Sequence, residues 1–492
     1  MKRILLSLAT TLMIAGGLHA QGEFLESTTM DVFNFSRLGL NGTASYVGRA
    51  GAIGALGADF TAASYNPAGL GMYYSSSLSL TMVVDNSLTK TRFMGIGTDD
   101  YRNTFNIGSF EALFAIPTYD LSESSWRSFQ FGIGLNRLRS FNNRQYVEGG
   151  VTPFSMLDVW VDDANKYGYL DPFTSQLAWE RWLIDTLQGG AYVNSFSGRE
   201  NQLHQSRHQV QSGGINEMVI SFSGNYCDKL YLGMTIGVPF LSYYRSSLYR
   251  EVAQNTEDVF DFNENYEANG TGINLKVGAI YRPVEMLRIG FALHTPTYYD
   301  LKEVYETNVN DGRITTYSGE SEGGYNFCTP MKLIGSVAAT FGDQSSLMAG
   351  SVDFDYEFTN YHGSRITPLN DNFADMGYET WRKAINTNIK ETYNPGHTLR
   401  LGGSLNVRHW VLRAGVAYHN NPYKEYEGWE HKNVETLSAA CGFGYRTKHF
   451  FLDFAYAHTV YQDYEYFKTY SYNAINSDYY NNLFMATIGC KF

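Results

Sequence analysis

The sequence predicts an all-β protein: a transmembrane antiparallel up-and-down β-barrel of about 14 strands with an N-terminal hatch in its lumen. Three observations lead there. Apolar residues alternate with small or polar ones from about residue 75 onward, short and long connections alternate, and the N-terminus has the form of an export signal.

In chain order the signal comes first. Lys2 and Arg3 form a positive start, Ile4 to Leu18 an apolar stretch, and Leu18-His19-Ala20 a cleavage-type site before Gln21. The apolar stretch is shorter than the roughly 20 residues a spanning helix needs. No later stretch reaches that length, so residues 1–20 are expected to be a signal peptide and the remainder to lack a spanning helix. Residues 21–74 do not alternate. Gly48, Gly51, Gly54 and Gly57 recur at a spacing of three, followed by Ala62-Ala63-Ser64-Tyr65-Asn66-Pro67-Ala68-Gly69. The run has no GxG and no preceding strand, so it is not a dinucleotide loop. Small residues at this density suit packing against surrounding walls, and the segment is expected to be the hatch.

Residues 75–492 are expected to be the barrel. Phe129, Phe131, Ile133 and Leu135 alternate with Gln130, Gly132, Gly134 and Asn136, and Leu230 to Val238 behaves alike. Fourteen such runs appear, at about 75–90, 105–117, 127–141, 215–226, 229–246, 270–283, 286–300, 325–342, 346–360, 396–408, 410–420, 434–446, 449–462 and 481–492. Short turns fall at Asn225 to Asp228, Pro283 to Glu285, Gly342 to Gln344, Arg408-His409 and Arg446 to Lys448. Long connections lie at 142–214 (the longest, partly helical), 247–269, 301–324, 359–395, 421–433 and 463–480. Short periplasmic turns and long external loops mark a membrane barrel, which places the chain in the bacterial outer membrane. A mean hydropathy of −0.29 does not oppose this, because a barrel strand gives lipid only every second residue. The final run puts Phe484, Ala486, Ile488, Cys490 and Phe492 on one face, and a terminal aromatic there resembles the signal read by the barrel assembly machinery.

Composition removes several functions. A net charge of −12 disfavours nucleic acid as a partner. The four cysteines form no CxxC pair, and their disulfide state stays open. Gly319-Glu320-Ser321-Glu322-Gly323 matches GxSxG without a strand-to-helix elbow, and His204 and His208 lack the glutamate of a zinc site. No enzyme, metal or cofactor is expected.

The chain resembles the FadL/OMPP1/TodX outer-membrane transporters of long-chain fatty acids and other hydrophobic compounds. Three stretches carry the resemblance: Gly54 to Asp59 with Tyr65 to Leu70, the hairpin Gly278 to Pro283 with Leu287 to Gly290 and His294 to Tyr298, and Thr329-Pro330-Met331. The resemblance implies a ligand-capturing groove among external loops, a lumenal site, and sideways release through the wall beside a kinked third strand. Asn66, Pro67 and Ala68 then belong to the gate, and Gly132 and Gly134 mark the third strand, where they either bend the wall or make room for the hatch.

The residues themselves suggest the remaining roles. Phe154, Trp160, Trp179, Trp182 and Leu183 in the longest connection are candidates for ligand capture, with 175–187 read as one amphipathic helix. Arg288, Arg400, Arg413, Asp353 and Asp355, with Lys276, Lys332 and Glu357, are expected to face inward, because an Arg or Lys facing lipid at the midplane costs roughly 2–4 kcal/mol. They either hold the hatch or pair a ligand's carboxylate. The acidic stretch Glu251, Glu257, Asp258, Asp261, Glu264 and Glu267 reads as a solvated loop. The expected partners are a hydrophobic small molecule, outer-membrane lipid and lipopolysaccharide, for a protein that is monomeric. Alternatives are an interaction component of a protein secretion system and a polar-solute porin.

Overall fold

The computed structural model describes residues 31–118, 125–196, 202–254, 258–342, 348–368, 378–424, 433–467 and 473–492. The signal-peptide expectation at 1–20, the first ten residues of the expected hatch and Glu257 lie outside them. Fourteen antiparallel strands make one closed wall. They are β1 (Ser77–Phe93), β2 (Ile96–Pro117), β3 (Trp126–Ser140, continuing as Asn143–Thr152), β4 (Leu203–Tyr226), β5 (Leu230–Ala253), β6 (Val259–Val284) and β7 (Leu287–His294, then Tyr298–Asn310). There follow β8 (Ser321–Cys328, then Lys332–Phe341), β9 (Met348–Thr359), β10 (Gly396–Val407), β11 (Trp410–His419), β12 (Thr436–Arg446), β13 (Phe450–Tyr466) and β14 (Ala474–Lys491). Each pairs with the next, and β1 closes on β14 from Ser77↔Lys491 to Arg92↔Asn476. Closure leaves no sheet edge at either end of the series, which a spanning sheet in lipid requires.

The alternation sorts side chains as the sequence implies. Phe129, Ile133 and Leu135 on β3, and Leu232, Met234 and Ile236 on β5, are exposed on the outer face. Gln130 and Asn136, alternating with the former, and Thr235, between the latter, are buried toward the lumen. Every expected strand is present, but several run farther. β4 and β5 have 24 residues each and β6 has 26, against about 9–11 needed to cross the hydrocarbon. The stretch 247–269 is therefore mostly wall, not loop. Its inward Tyr249, Phe260 and Phe262 are buried against the external helix Met156–Tyr167, so tertiary packing overrides the acidic composition. Likewise β1 and β2 meet in a two-residue turn at Met94-Gly95 (φ 49° and 85°), where a longer connection was expected.

β7 and β8 break at one height, at Thr295-Pro296-Thr297 and Thr329-Pro330-Met331. Each proline lacks an N–H for the ladder. Threonines repair the gap: Thr297 N donates to Thr329 Oγ1 (2.8 Å), Thr329 N to Thr297 O (3.0 Å) and Thr295 N to Leu275 O (2.9 Å). Above it β8 pairs with Arg365–Pro368 of a connection that turns inward over the lumen.

Residues 31–74 fill the barrel's interior. Ala44, Val47, Ile53, Phe60 and Leu70 pack with wall residues Val83, Leu113, Val219, Ile334 and Ala457. Wall glycines let the hatch backbone come this close. A Cβ on Gly233 would lie 2.2 Å from Pro67 C, one on Gly415 2.3 Å from Arg49 O, and one on Gly290 2.5 Å from Gly54 O. Gly233→Ala should therefore lower the melting temperature by the equivalent of about 1–3 kcal/mol of overpacking. Gly335→Ala, where a Cβ would meet nothing within 4 Å, should leave it unchanged. Heat-modifiability on a denaturing gel reads both.

Candidate functional site

The site is built from the hatch, the wall around it, and the external cover. Within the hatch, side-chain caps hold three short helical turns. Thr43 caps Ala44–Val47, Asp59 caps Phe60–Ser64, and Asn66 caps Pro67–Met72. Thr43 Oγ1 donates to Asp59 Oδ2 (2.7 Å), tying the first two turns together. Asn66 uses both ends of its amide: Oδ1 accepts from Ala68 N (3.3 Å) and Nδ2 donates to Gly54 O (2.6 Å). Pro67 takes the first position of its turn, where the missing N–H costs nothing. Asn66 and Ala68 are fully buried, so these gate candidates lie inside the plug, with no face toward solvent.

The wall grips this plug by charge. Asp355 Oδ2 accepts from the backbone N–H of Ile53 and of Gly54 (3.1 Å each), and Asp353 Oδ2 from that of Ala55 (3.4 Å). Arg288 Nη1 donates to Leu56 O (2.8 Å). Arg400 Nη1 donates to Tyr65 OH (2.6 Å), and its guanidinium lies 5.0 Å from that ring's centroid. Arg400 also pairs with Glu357 (2.9 Å), which Lys332 reaches at 3.3 Å. Arg413 pairs with Asp453 (2.8 Å) beside Gly48. Of the two roles open for the inward charges, this geometry is that of holding the hatch. A small cavity of about 30 Å³ remains beside them, where Arg37, Lys332, Arg400 and His419 face Phe33, Tyr361 and Val434.

Gly132 and Gly134 lie in unbroken ladders with both β2 and β4. A Cβ on Gly134 would come within 2.6 Å of the Phe60 ring, and one on Gly132 within 3.1 Å. Of their two readings, making room for the hatch is the one the geometry fits. The irregularity sits two residues higher. The β2–β3 ladder ends at Ser109↔Asn136, and β3 carries a bulge between Arg137 and Arg139. Beyond this point β2 continues with β1 alone, from Ile107 to Ile96, while β3 stays with β4 and bends behind the hairpin. Among the described residues this seam has side-chain links in place of a ladder, such as Asn142 Nδ2 to Thr104 Oγ1 (3.3 Å). Phe60 and the seam gave no signal in the sequence, since both depend on contacts distant along the chain.

The external cover differs from its expected form. The helix ends at Glu180, not at 187, and Trp182 takes a left-handed conformation (φ 59°) before a small hairpin, Ile184–Thr186 with Tyr192–Asn194. Trp160 and Leu183 are buried, Trp160 against Phe262 (4.9 Å) and Phe260 (5.5 Å). Trp179 and Trp182 are exposed, at 45% and 76%, and Phe154 is at the edge of exposure. The capture candidates thus divide into two that build the cover and three that face outward. Glu251, read as solvated, is buried: it accepts from Ser155 Oγ (2.6 Å) and Met156 N (2.8 Å) and anchors the helix Met156–Tyr167 to the wall. His204 and His208 sit on β4 beside Glu148 (3.4 Å) and Asp100 (3.3 Å) respectively. Ser321 opens the outer half of β8 without an elbow.

The model of the family described as "Outer membrane protein transport protein (OMPP1/FadL/TodX)" matches residues 247–486. No curated protein matches the sequence. Among solved structures, a FadL homologue of Pseudomonas aeruginosa is similar at 14% identity and a TM-score of 0.54, over 92% of this chain and 98% of that one. The toluene transporter TodX of P. putida is similar at 12% identity and 0.52, covering 92% and 99%. The toluene transporter TbuX of Ralstonia pickettii follows at 14% and 0.50, covering 92% and 99%. At these identities the likeness is one of fold.

Two outcomes are expected from the plug's contacts. Asp355→Ala strands two buried N–H groups, at about 1–3 kcal/mol each. Amide exchange at Ile53 and Gly54 should therefore accelerate by more than tenfold while the barrel strands keep their protection. On the external extension of the wall, Tyr266 OH donates to Asp31 (3.2 Å) and to Glu303. Burial pushes both carboxyls up to about 7. Because these values are raised, the docked state holds the protons more tightly than the free one. The docking of residue 31 is strongest below about pH 4 and is lost as pH rises through 7. Protease protection of that segment should be greater at pH 5.5 than at pH 8.

Proposed function

With the resemblance to the OMPP1/FadL/TodX family upheld and the chain an outer-membrane β-barrel, we propose that it carries hydrophobic molecules, such as long-chain fatty acids, across the outer membrane by passive diffusion. The reading joins three features. Trp179 and Trp182 offer an aromatic surface to the outside, where a hydrophobic solute meets the protein first. The small cavity above the hatch brings cations and apolar side chains together at the point a ligand would reach next, and it must widen to take one. The seam between β2 and β3 gives a way out sideways into lipid. The seam is the observation that carries the proposal, because residues 31–74 pack against the wall within the lumen and the β2–β3 ladder stops above them.

Residues 1–20 then direct export, 21–74 act as the gate, and 75–492 form the wall of a protein that works as a monomer. The hatch must shift for a ligand to pass from the cavity to the seam. Asn66, Pro67 and Ala68 set its shape, so the shift is expected to turn about them. A polar-solute porin is disfavoured by the same filled lumen.

Proteoliposomes holding the full chain should accumulate a radiolabelled long-chain fatty acid faster than empty vesicles do. Replacing Asn66 and Pro67 by alanine should cut that rate several-fold in a barrel that still shows heat-modifiability. Unchanged uptake would remove the gate from the mechanism. Trp179→Ala with Trp182→Ala should raise the apparent Kd of a hydrophobic fluorescent probe; an unchanged Kd would leave those residues structural. Uptake no faster than in empty vesicles would sink the transport reading itself.

A further inference from the structure

Above Ser109 and Asn136 the faces of β1, β2 and β3 that meet across the seam carry an imbalance of charge. Arg102 of β2 and Arg137 of β3 both lie within electrostatic reach of Asp85 of β1. Arg144, on the continuation of β3, lies beside Arg102 and is exposed. Two guanidiniums thus share one carboxylate, with a third beside Arg102. The other charged groups nearby are engaged elsewhere: Asp100 lies 3.3 Å from His208, and Arg139 turns to the hatch, donating to Arg37 O at 2.9 Å. Arg102 donates one Nη1 to Gln211 O and Arg137 one Nη2 to Gly213 O (3.1 Å), which leaves N–H groups on each fork uncommitted. The remaining lining is neutral and polar. Ser87 Oγ and Thr89 Oγ1 donate to Asn143 Oδ1 at 2.7 and 2.9 Å.

A hydrocarbon gains nothing from such a lining, since covering guanidiniums with apolar groups removes their hydration without replacement. An anion gains a great deal. A guanidinium fork matches the two oxygens of a carboxylate or phosphate. Directly outside, Phe105, Ile107 and Phe110 of β2 and Leu135 of β3 are exposed on the lipid face. Polar cations inside and an apolar strip outside, separated by an unzipped ladder, match a molecule with an anionic head and an apolar tail.

We propose that the seam is a binding site for the anionic head group, carboxylate or phosphate, of an amphiphile, held by Arg102 and Arg137 with its tail along the outer face of β2 and β3. As a station on a transport route the site rests on the seam reading of the preceding section; as a site for a membrane lipid it does not.

The test uses the full chain and the variant Arg102→Gln with Arg137→Gln. Uptake of palmitate and of hexadecanol is compared in proteoliposomes of zwitterionic lipid. Retention of phosphatidylglycerol and lipid A is measured by native mass spectrometry. Loss of palmitate uptake by about tenfold or more, with hexadecanol unchanged, supports the site and assigns it to the travelling ligand. Loss of phosphatidylglycerol or lipid A retention, with both uptake rates unchanged, supports the site and assigns it to a resident lipid. Equal loss of both uptake rates, or no change in any measurement, overturns it. If wild-type protein takes up neither probe, the transport reading fails and lipid retention alone decides the site. Should the double variant not insert, Arg102→Gln and Arg137→Gln singly serve in its place, each expected to show part of the same selectivity.

Discussion

The contact on which the rest depends is backbone against backbone, where the hatch lies on the inner wall of the barrel. A wall residue with a side chain holds its neighbour several ångströms away, and a lumen ringed with side chains would leave a pore or a side-chain-packed core. Here Gly233, Gly290 and Gly415 remove the side chain where the hatch passes, and Gly132 and Gly134 do the same for the ring of Phe60. The plug can then be rich in Ala and Gly and still pack closely against the wall. Its own small residues follow from the same constraint: Gly57 and Gly69 meet face to face inside the hatch, with no room for a Cβ on either.

Close approach brings buried backbone polar groups with it, and the wall's charges answer them. Asp353 and Asp355 take up N–H groups from a hatch segment without regular secondary structure, and Arg288 and His294 meet its carbonyls. These residues read most simply as fixing the plug in register. That arrangement gives the hatch a defined position in the lumen. The seam is the complementary feature. β2 and β3 part where β3 must bend inward to follow β4, and the polar groups released there are met by arginine, asparagine and threonine side chains in place of a ladder.

Much of this was legible in the residues before any coordinates. Fourteen runs of alternation became fourteen strands, since a period of two sorts side chains between lipid and lumen wherever a strand stands in a membrane. The inward register of Asp353, Asp355, Arg400 and Arg413 followed from the same rule together with the cost of a charge in lipid. The longest connection was less legible. The 175–187 stretch has helical spacing, yet the chain turns at Trp182 because Leu183 and Ile184 are drawn into a cluster with Phe93, Val147 and Trp160, contacts that no local pattern encodes. The acidic stretch around Glu251 failed as a loop for a like reason, its apolar partners lying in another connection.

By itself, then, the sequence determined that this chain is a barrel with an interior plug, and which side of each strand meets lipid. Those properties depend on neighbours two residues apart and on the composition of one continuous segment. Tertiary structure alone decided what each inward residue touches. It assigned Gly132 and Gly134 to Phe60, put the break in the wall above Asn136, and gathered Asp85, Arg102 and Arg137 from three strands around one gap. Which strand pairs with which at a given height is a contest among distant segments for the same hydrogen bonds, and alternation is the same for the winner and the loser.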